Sequence, residues 1–217
     1  MEYLIRLYVY LGILTLTTVL GAIRFRTLDK GGRVICLLLV LTLISESIAY
    51  LLAFKTGSNI IVYHIYNPIE FFLLSLYFNF TIDIFRRKHV GIYIGFFALL
   101  MGVLNSLYIQ PITEFNTYYL LFEGLCIISI SLFSFYQLML KDTYTSPVAD
   151  PHFRISFLLL FYWCITFISW GVYEMVDTAK SNYIIGLILW TANIIFYLGV
   201  AIVFLLYKRK PVAGEYA

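Results

Sequence analysis

Charged residues are scarce in this chain, and their scarcity excludes most classes of soluble protein. Only 12% of the 217 residues are Asp, Glu, Lys or Arg, whereas 62% are hydrophobic and 19% are aromatic. Soluble domains carry about 25% charged residues, so this chain has too few charges to cover an ordinary aqueous surface. The composition excludes a disordered protein and a nucleic-acid-binding domain. It leaves a multi-pass membrane protein whose constant partner is the lipid bilayer.

Cysteine and histidine are also few. The three cysteines all lie inside apolar runs, and they are Cys36, Cys126 and Cys164. None forms a pair in a loop, so neither a disulfide nor a zinc site is indicated. We expect His64, His89 and His152 in loops, the first on one side of the membrane and the others on the opposite side. Motifs for phosphate, dinucleotide, zinc-protease and serine-hydrolase sites are absent, so we expect no cofactor, and no enzyme class is indicated.

Seven apolar runs are long enough to cross a bilayer as helices. A transmembrane helix needs about 20 mostly apolar residues, and within lipid a helix satisfies its own backbone hydrogen bonds. The predicted helices span residues 3–23, 34–54, 66–85, 90–109, 118–140, 155–176 and 183–207. The sequence therefore predicts an all-α, polytopic membrane protein in which residues 1–217 form a single seven-helix domain.

Lysine and arginine are concentrated on one side of the predicted bundle. Twelve of the fifteen lie in residues 24–33, 86–88, 141–154 and 208–210. The other three, Arg6, Lys55 and Lys180, lie on the opposite side. Because short loops rich in Lys and Arg stay in the cytoplasm, we expect the N-terminus outside and the C-terminus in the cytoplasm. We expect the cell (inner) membrane as the location, and a cytoplasmic protein partner at the basic loops.

Four glutamates lie inside the predicted helices, where a charged side chain costs about 2.5–3.5 kcal/mol near the helix centre. They are Glu46, Glu70, Glu123 and Glu174. All four lie in the outer half of the predicted bundle. Glu46 and Glu70 are the deeper two, which favours a shared site, whereas Glu123 and Glu174 are shallow enough to reach interfacial water. An alternative for the site is a structural salt bridge with Arg6.

Polar residues share helix faces with these glutamates. Tyr50 follows Glu46 by one turn, and Asn67 precedes Glu70 by one turn. The predicted ligand-binding residues are Glu46, Glu70, Glu123, Glu174, Asn67, Asn193 and Tyr50. Crowded carboxyl groups attract cations and protons. We therefore expect an outward-open acidic pocket for a cation, a proton or a small amine-bearing ligand, and the identity of any metal stays open.

Two further features concern how the helices are built and packed. Small residues recur on one face of the fourth run, and they are Gly91, Gly95, Ala98 and Gly102. Such a stripe lets helices approach closely, and packing inside the bundle is favoured over a dimer contact. Asn67-Pro68 is expected in the first turn of the third helix, where the missing N–H of proline is harmless.

A weak internal repeat relates the two halves of the chain. Residues 42–45 (TLIS) in the second run resemble residues 166–169 (TFIS) in the sixth. A similar offset aligns Glu70 with Asn193. One interpretation is a pair of parallel three-helix units joined by the fourth helix.

The segment from Tyr63 to Phe72 (YHIYNPIEFF), which follows a helix containing Glu46, resembles a group of uncharacterised seven-helix membrane proteins from Bacteroidota. The resemblance covers most of the chain. It implies no activity that can be carried over.

Three functions are compatible with the predicted acidic pocket. The first is a binding or sensing protein that holds a cation or a small amine and signals through a separate partner. The alternative is a small proton- or cation-coupled transporter or channel. The third is an intramembrane lipid-modifying enzyme in which paired glutamates act as acid and base.

Overall fold

The computed structural model describes residues 2–140, 147–176 and 178–207, and all regular structure in these ranges is helical. The α-helices are α1 (Glu2–Arg24), α2 (Lys30–Thr56), α3 (Ile60–Thr81), α4 (Asp83–Lys88), α5 (Val90–Leu104), α6 (Thr117–Met139), α7 (Pro151–Met175) and α8 (Ala179–Leu205). A π-helical turn, Asn105–Ile109, extends α5, and a 3-10 turn, Pro147–Ala149, precedes α7. Among these described helices, seven are long and apolar enough to cross a membrane, which confirms the predicted all-α class and its seven long helices.

Capping residues extend several helices beyond the apolar runs. α2 begins at Lys30 because the Asp29 side chain accepts a hydrogen bond from the Gly32 N–H at 2.8 Å. It ends at Thr56, and the following C-cap residue, Gly57, has a φ of 79°, the left-handed conformation that glycine adopts without strain. Hydropathy does not detect such polar ends, so α2 is longer than the predicted 34–54.

α7 and α8 begin earlier than their apolar runs for the same reason. Asp150 caps α7 by accepting from the His152 N–H at 2.9 Å. Thr178 and Ser181 form a reciprocal capping box at the start of α8. These helices start at Pro151 and Ala179 rather than at the predicted 155 and 183.

The third predicted helix, 66–85, differs from the structure at both ends. α3 runs from Ile60 to Thr81, and the extended residue Ile82 separates it from α4. The prediction that Asn67-Pro68 lies in the first turn is therefore wrong, because both residues lie in the interior of α3. A proline inside a helix removes one backbone hydrogen bond and crowds the preceding turn, and in a membrane helix neighbouring groups compensate for this.

The histidines also differ from the prediction of three loop residues. His64 is a buried residue of α3, and His152 is in the first turn of α7. His89 alone lies at a junction, between α4 and α5. The prediction assigned residues to loops by local polarity, which does not separate a loop from a buried polar position in a helix.

Six of the long helices form a ring. Their order around the ring is α1, α2, α3, α6, α7 and α8, and the ring closes because α8 packs on α1. α5 packs outside this ring, mainly against α3. Large side chains such as Phe71, Tyr77, Trp163 and Phe204 are almost fully buried in the core.

The small-residue stripe brings α5 against α3. A Cβ atom added at Gly91 would overlap the carbonyl oxygen of Ser75, and one added at Gly102 would overlap the ring of Pro68. At Gly95 the added atom would lie 2.8 Å from Phe72. Ala98, the fourth stripe residue, is fully buried. The stripe therefore packs within this chain.

The connections between the long helices alternate between two ends of the bundle. One end holds the start of α1 and the α2–α3, α5–α6 and α7–α8 connections. The opposite end, called the basic end here, holds α4 and the α1–α2 connection. Its described basic residues are Arg24, Arg26, Lys30, Arg33, Arg86, Arg87, Lys88 and Arg154. The other basic residues counted on this side, Lys141 and residues 208–210, lie outside the described residues.

Candidate functional site

A cavity of about 490 Å³ lies inside the ring of six helices. All six ring helices contribute side chains to it, whereas α5 contributes none of the described lining residues. Two of its lining residues, Asn59 and Phe115, lie in the α2–α3 and α5–α6 connections at the end where α1 begins. That end is called the cavity end below.

Two of the four predicted glutamates line this cavity. Tyr63 donates its hydroxyl to Oε2 of Glu46 at 3.4 Å, and Tyr10 interacts with the same carboxyl group. Tyr66 interacts with Glu70. The two carboxyl groups are also close enough to interact electrostatically with each other. The predicted pairing of Glu46 with Glu70 thus corresponds to a common location on α2 and α3.

Eight of the eighteen described residues that line the cavity are aromatic. They are Tyr10, Tyr63, Tyr66, Tyr162, Trp163 and Tyr197, with Phe115 and Trp170 nearer the cavity end. The Phe115 and Trp170 rings stack with centroids 4.6 Å apart. The Tyr66 hydroxyl also lies 2.6 Å from the Thr42 hydroxyl. None of the described lining residues is Lys or Arg, so the nearest partners of the carboxyl groups are neutral hydroxyls.

Glu123 lies behind the cavity wall. It is fully buried in α6, and neither carboxyl oxygen has a hydrogen-bond partner among the described residues. It lies close enough to Glu70 for the two carboxyl groups to interact electrostatically. The expectation that Glu123 reaches interfacial water is wrong, because depth along a helix does not tell which way a side chain points.

Glu174 and Tyr50 lie away from the cavity. Glu174 accepts a hydrogen bond from the Thr117 hydroxyl, which in turn accepts one from Gln110 Nε2 at 3.0 Å. This chain of bonds joins the end of α7 to the start of α6. Tyr50 is half-buried beside Tyr8 of α1. Neither residue lines the cavity, so their assignment to the ligand site is not supported by position.

Both predicted asparagines line the cavity. Asn67 donates to the side-chain oxygen of Asn116 at 3.2 Å, and Asn116 donates to the carbonyl of Tyr63 at 3.3 Å. Asn193 donates to the carbonyl of Leu189, one turn earlier in α8, at 2.9 Å. The Asn67–Asn116 pair fixes the α5–α6 connection over the cavity end of α3.

His64 reinforces that attachment. One ring nitrogen lies 2.8 Å from the Ser106 hydroxyl and the other 2.8 Å from the Glu114 carbonyl oxygen. Both ring nitrogens are therefore used to hold the segment after α5 against α3. Among the described residues, no group of three His, Cys, Asp or Glu side chains is arranged to hold a metal ion.

An aromatic lining was expected beside the glutamates, but Tyr10, Tyr162 and Trp163 were not among the residues that the sequence interpretation named. A signal was present on α7, where Tyr162, Thr166 and Trp170 follow one another at four-residue spacing and all line the cavity. On α3, Tyr63 and Tyr66 share a face with Glu70 in the same way. Tyrosine and tryptophan are common in apolar runs, so this spacing was not distinctive without the glutamates of other helices.

Below the carboxyl groups the ring is closed. A narrow void under Thr42 and Glu70 is bordered by apolar side chains of α2, α3, α7 and α8. They are Leu38, Leu39, Leu74, Leu159 and Phe196. The cavity therefore ends on an apolar floor.

The four residues aligned by the internal repeat share this cavity. Thr42 and Glu70 of the first unit and Thr166 and Asn193 of the second all line it. α1 and α6, the first helices of the two halves, both start at the cavity end, and α5 separates the two halves in the chain. This order is compatible with the interpretation of two parallel three-helix units.

Comparisons with known proteins identify no relative. No protein-family model matches the chain, and no curated protein or solved structure matches it. The function has to be argued from the geometry of the cavity.

Proposed function

We propose that this chain is an integral protein of the cell (inner) membrane that binds a small cation in the ring cavity, most directly an amine-bearing ligand. In this proposal the protein is surrounded by the lipid bilayer and acts as a sensor through a separate cytoplasmic partner. The cavity volume of about 490 Å³ is within the range of small-molecule sites, which is about 300–1,000 Å³.

The observation that carries the proposal is the absence of a basic residue among the described residues that line the cavity with Glu46 and Glu70. Two carboxyl groups in an apolar surrounding are costly unless a positive charge or a proton offsets them. A cation entering the cavity supplies that charge. The proton is therefore the simplest competitor of the ligand.

The aromatic wall favours an organic cation. Rings such as those of Tyr66, Tyr162 and Trp170 attract a cation through their π faces, and alkyl groups on nitrogen pack well against them. Tyrosine hydroxyls beside each carboxyl group offer further hydrogen bonds to an N–H donor. A primary or substituted ammonium group fits this combination of charge, aromatic surface and hydroxyls.

The side of entry follows from the distribution of basic residues. Eight of the described Lys and Arg residues lie at the basic end, which supports a cytoplasmic position for that end. The cavity end, with the N-terminus, is then outside the cell. A ligand bound by Glu46 of α2 and Glu70 of α3 changes the packing of the ring, and the basic end presents this change to a cytoplasmic protein.

A transporter or channel is the second candidate, and two observations favour a transporter. The ring has the order of two parallel three-helix units, an arrangement used by some transporters. The cavity is closed below by the apolar floor, as expected for one state of an alternating-access cycle. Glu46 and Glu70 would then couple proton or cation movement. The third candidate, a lipid-modifying enzyme, has no specific observation in its favour.

Thermal unfolding of the purified protein in detergent tests ligand binding. The probes are a series from methylammonium to tetraethylammonium chloride, with sodium chloride as the ionic control. We expect a saturable rise in the unfolding midpoint with at least one amine, and at least a tenfold weaker apparent affinity in Glu46→Gln and Glu70→Gln. Glu174→Gln is the matched control because it removes a glutamate outside the cavity.

Equal responses of the wild type and of the Glu46→Gln/Glu70→Gln double variant to every amine would contradict the proposal. Flux of a bound amine into proteoliposomes then separates the two leading candidates. Saturable uptake that is lost in Glu70→Gln supports a transporter, and binding without uptake supports a sensor.

A further inference from the structure

A second cavity, of about 530 Å³, lies between α1 and α2 near the basic end, and it is called the α1–α2 groove here. Its lining residues are Ala22, Phe25, Arg26, Arg33, Val34, Cys36, Leu37 and Val40. It shares no described lining residue with the ring cavity. The groove therefore cannot be an extension of the proposed amine site.

Most of the groove is apolar and partly open. Val34 and Cys36 are buried at its base, whereas Phe25 and Leu37 are 42% and 46% exposed. Val40 continues the apolar surface one turn further along α2, away from the basic end. This surface is suited to a hydrocarbon chain that runs parallel to the helices.

The end of the groove toward the basic end carries two arginines, and Arg33 is held in place. Its Nε donates to the carbonyl oxygens of Leu28 at 3.0 Å and Phe25 at 3.3 Å. Its guanidinium carbon also lies 5.5 Å from the centre of the Phe25 ring. These contacts occupy Nε alone, so neither Nη group has a partner among the described residues. A guanidinium group has five N–H donors, and the four on the Nη groups remain for an anion.

Arg26 adds a second charge to the lining of the same groove. It is exposed and makes no hydrogen bond or ion pair within the described part of the chain. Two guanidinium groups that line one groove repel each other in the absence of an anion, and guanidinium groups bind phosphate oxygens well because their planar donors match that geometry.

We infer that the α1–α2 groove binds an anionic phospholipid, with its phosphate on Arg26 and Arg33 and an acyl chain along Phe25, Leu37 and Val40. Basic pockets between transmembrane helices bind anionic lipid head groups in this way. A free phosphate or a soluble phosphate ester would use the arginines but would leave the apolar surface uncovered. The inference is independent of the amine site, since it uses none of the same residues.

Native mass spectrometry of the detergent-purified full chain tests the site. The probes are phosphatidylglycerol, phosphatidylcholine of the same acyl composition, and glycerol 3-phosphate. We expect phosphatidylglycerol to be retained at least fivefold more strongly than phosphatidylcholine. We also expect the Arg26→Gln/Arg33→Gln variant to reduce this preference to near onefold. The Arg87→Gln/Lys88→Gln variant, which removes the same charge elsewhere at the basic end, should keep it.

Three outcomes overturn the inference. Equal retention of the two lipids means that the head group is not recognised. Equal loss in the Arg87→Gln/Lys88→Gln control means that total charge, and not the groove, selects the lipid. Displacement of the lipid by equimolar glycerol 3-phosphate means that the site recognises an anion without its acyl chain. Arg26→Gln alone keeps the test available if changing Arg33 prevents folding, because Arg26 makes no bond to the described part of the chain.

Discussion

The two ends of this bundle use carboxyl groups in opposite ways. At the cavity end, Glu46 and Glu70 lie in an open cavity among neutral hydroxyls. At the basic end, Asp29 lies 2.7 Å from His152 Nε2 and accepts the Tyr207 hydroxyl at 2.7 Å. A carboxyl group with close polar partners holds helices together. One without a positive partner leaves room for a ligand to supply it.

The basic-end cluster joins helices from both halves of the ring. Asp29 precedes α2, His152 begins α7 and Tyr207 follows α8. Tyr77 of α3 adds a hydrogen bond to the carbonyl of His152 at 3.3 Å. Four elements around the ring are thereby connected through one cluster at this end. At the cavity end the bonds are separate, and they join the α5–α6 connection to α3, α6 to α7 and α8 to α1.

The electrostatics of Asp29 reflect these partners. Partial burial by itself raises the pKa of the Asp29 carboxyl. The hydrogen bonds from His152, the Gly32 N–H and Tyr207 outweigh burial, so they hold this pKa well below its usual value. Burial and the bond to Asp29 raise the pKa of Tyr207, which remains a neutral donor near pH 7.

The largest effect is expected where glycines of α5 pack against α3, because this contact supports both ends of the bundle. Gly91→Leu and Gly102→Leu each force a side chain into α3, so we expect little or no folded protein. The alanine variants should lose about 1–3 kcal/mol of stability. Gly102→Ala, which meets Pro68, should also weaken amine binding, because Pro68 adjoins Asn67. Midpoints of thermal unfolding and amine titrations measure both effects. Gly12→Ala is the control, since an added carbon there meets nothing within 4 Å.

A smaller effect of opposite sign is expected at Glu123. Replacing its unpartnered carboxyl group by leucine removes a buried polar group, so Glu123→Leu should raise stability by about 1–3 kcal/mol and leave the Glu46–Glu70 pair in place. The midpoint of thermal unfolding checks this. A fall in stability would mean that Glu123 has a favourable partner. It would then contradict the view that the carboxyl groups toward the cavity end lack partners that stabilise them.

A third prediction concerns the cap at the basic end. Asp29→Ala removes an N-cap and should destabilise the protein by about 1 kcal/mol near pH 7. Because the folded pKa of Asp29 is lowered, its contribution is complete above the unfolded pKa of about 3.9. It declines as the pH falls from there toward the folded pKa. Unfolding midpoints of the wild type and the variant should therefore converge below about pH 4.

Thr178→Ala provides the matched control for Asp29 at the cavity end. It removes a capping hydroxyl that does not titrate, so its effect on the unfolding midpoint should be similar in size at pH 7 and should not disappear at low pH. A pH-independent loss for Asp29→Ala would contradict the account of the basic end.

The smallest effects are expected at the two predicted site residues that lie away from the cavity. Tyr50→Phe and Glu174→Gln should change the apparent affinity for amines by less than about twofold, since additive contributions are expected from distant sites. Titrations of the variants beside Glu46→Gln measure the difference. A tenfold loss in Tyr50→Phe would extend the site beyond the described cavity.

The agreement between the sequence prediction and the structure differs from residue to residue. Glu46 and Glu70 were predictable as a pair because both are deep in apolar helices, where an isolated carboxyl group is too costly. Glu174 was not separable from them, because its partner Thr117 lies on another helix. The start of α3 at Ile60 was missed because the helix begins before the apolar run and continues through Pro68.

Composition and run length by themselves determined that this chain forms seven long apolar helices, because hydrocarbon accepts a backbone only when each segment pairs its own N–H and C=O groups. The tertiary structure decided which face of each helix points inward, since rotation about a helix axis depends on contacts with its neighbours. Glu70 thereby reached the cavity, Glu123 was buried behind its wall, and Asp29 was placed against His152. The positions of these residues along the chain contain no information about those three outcomes.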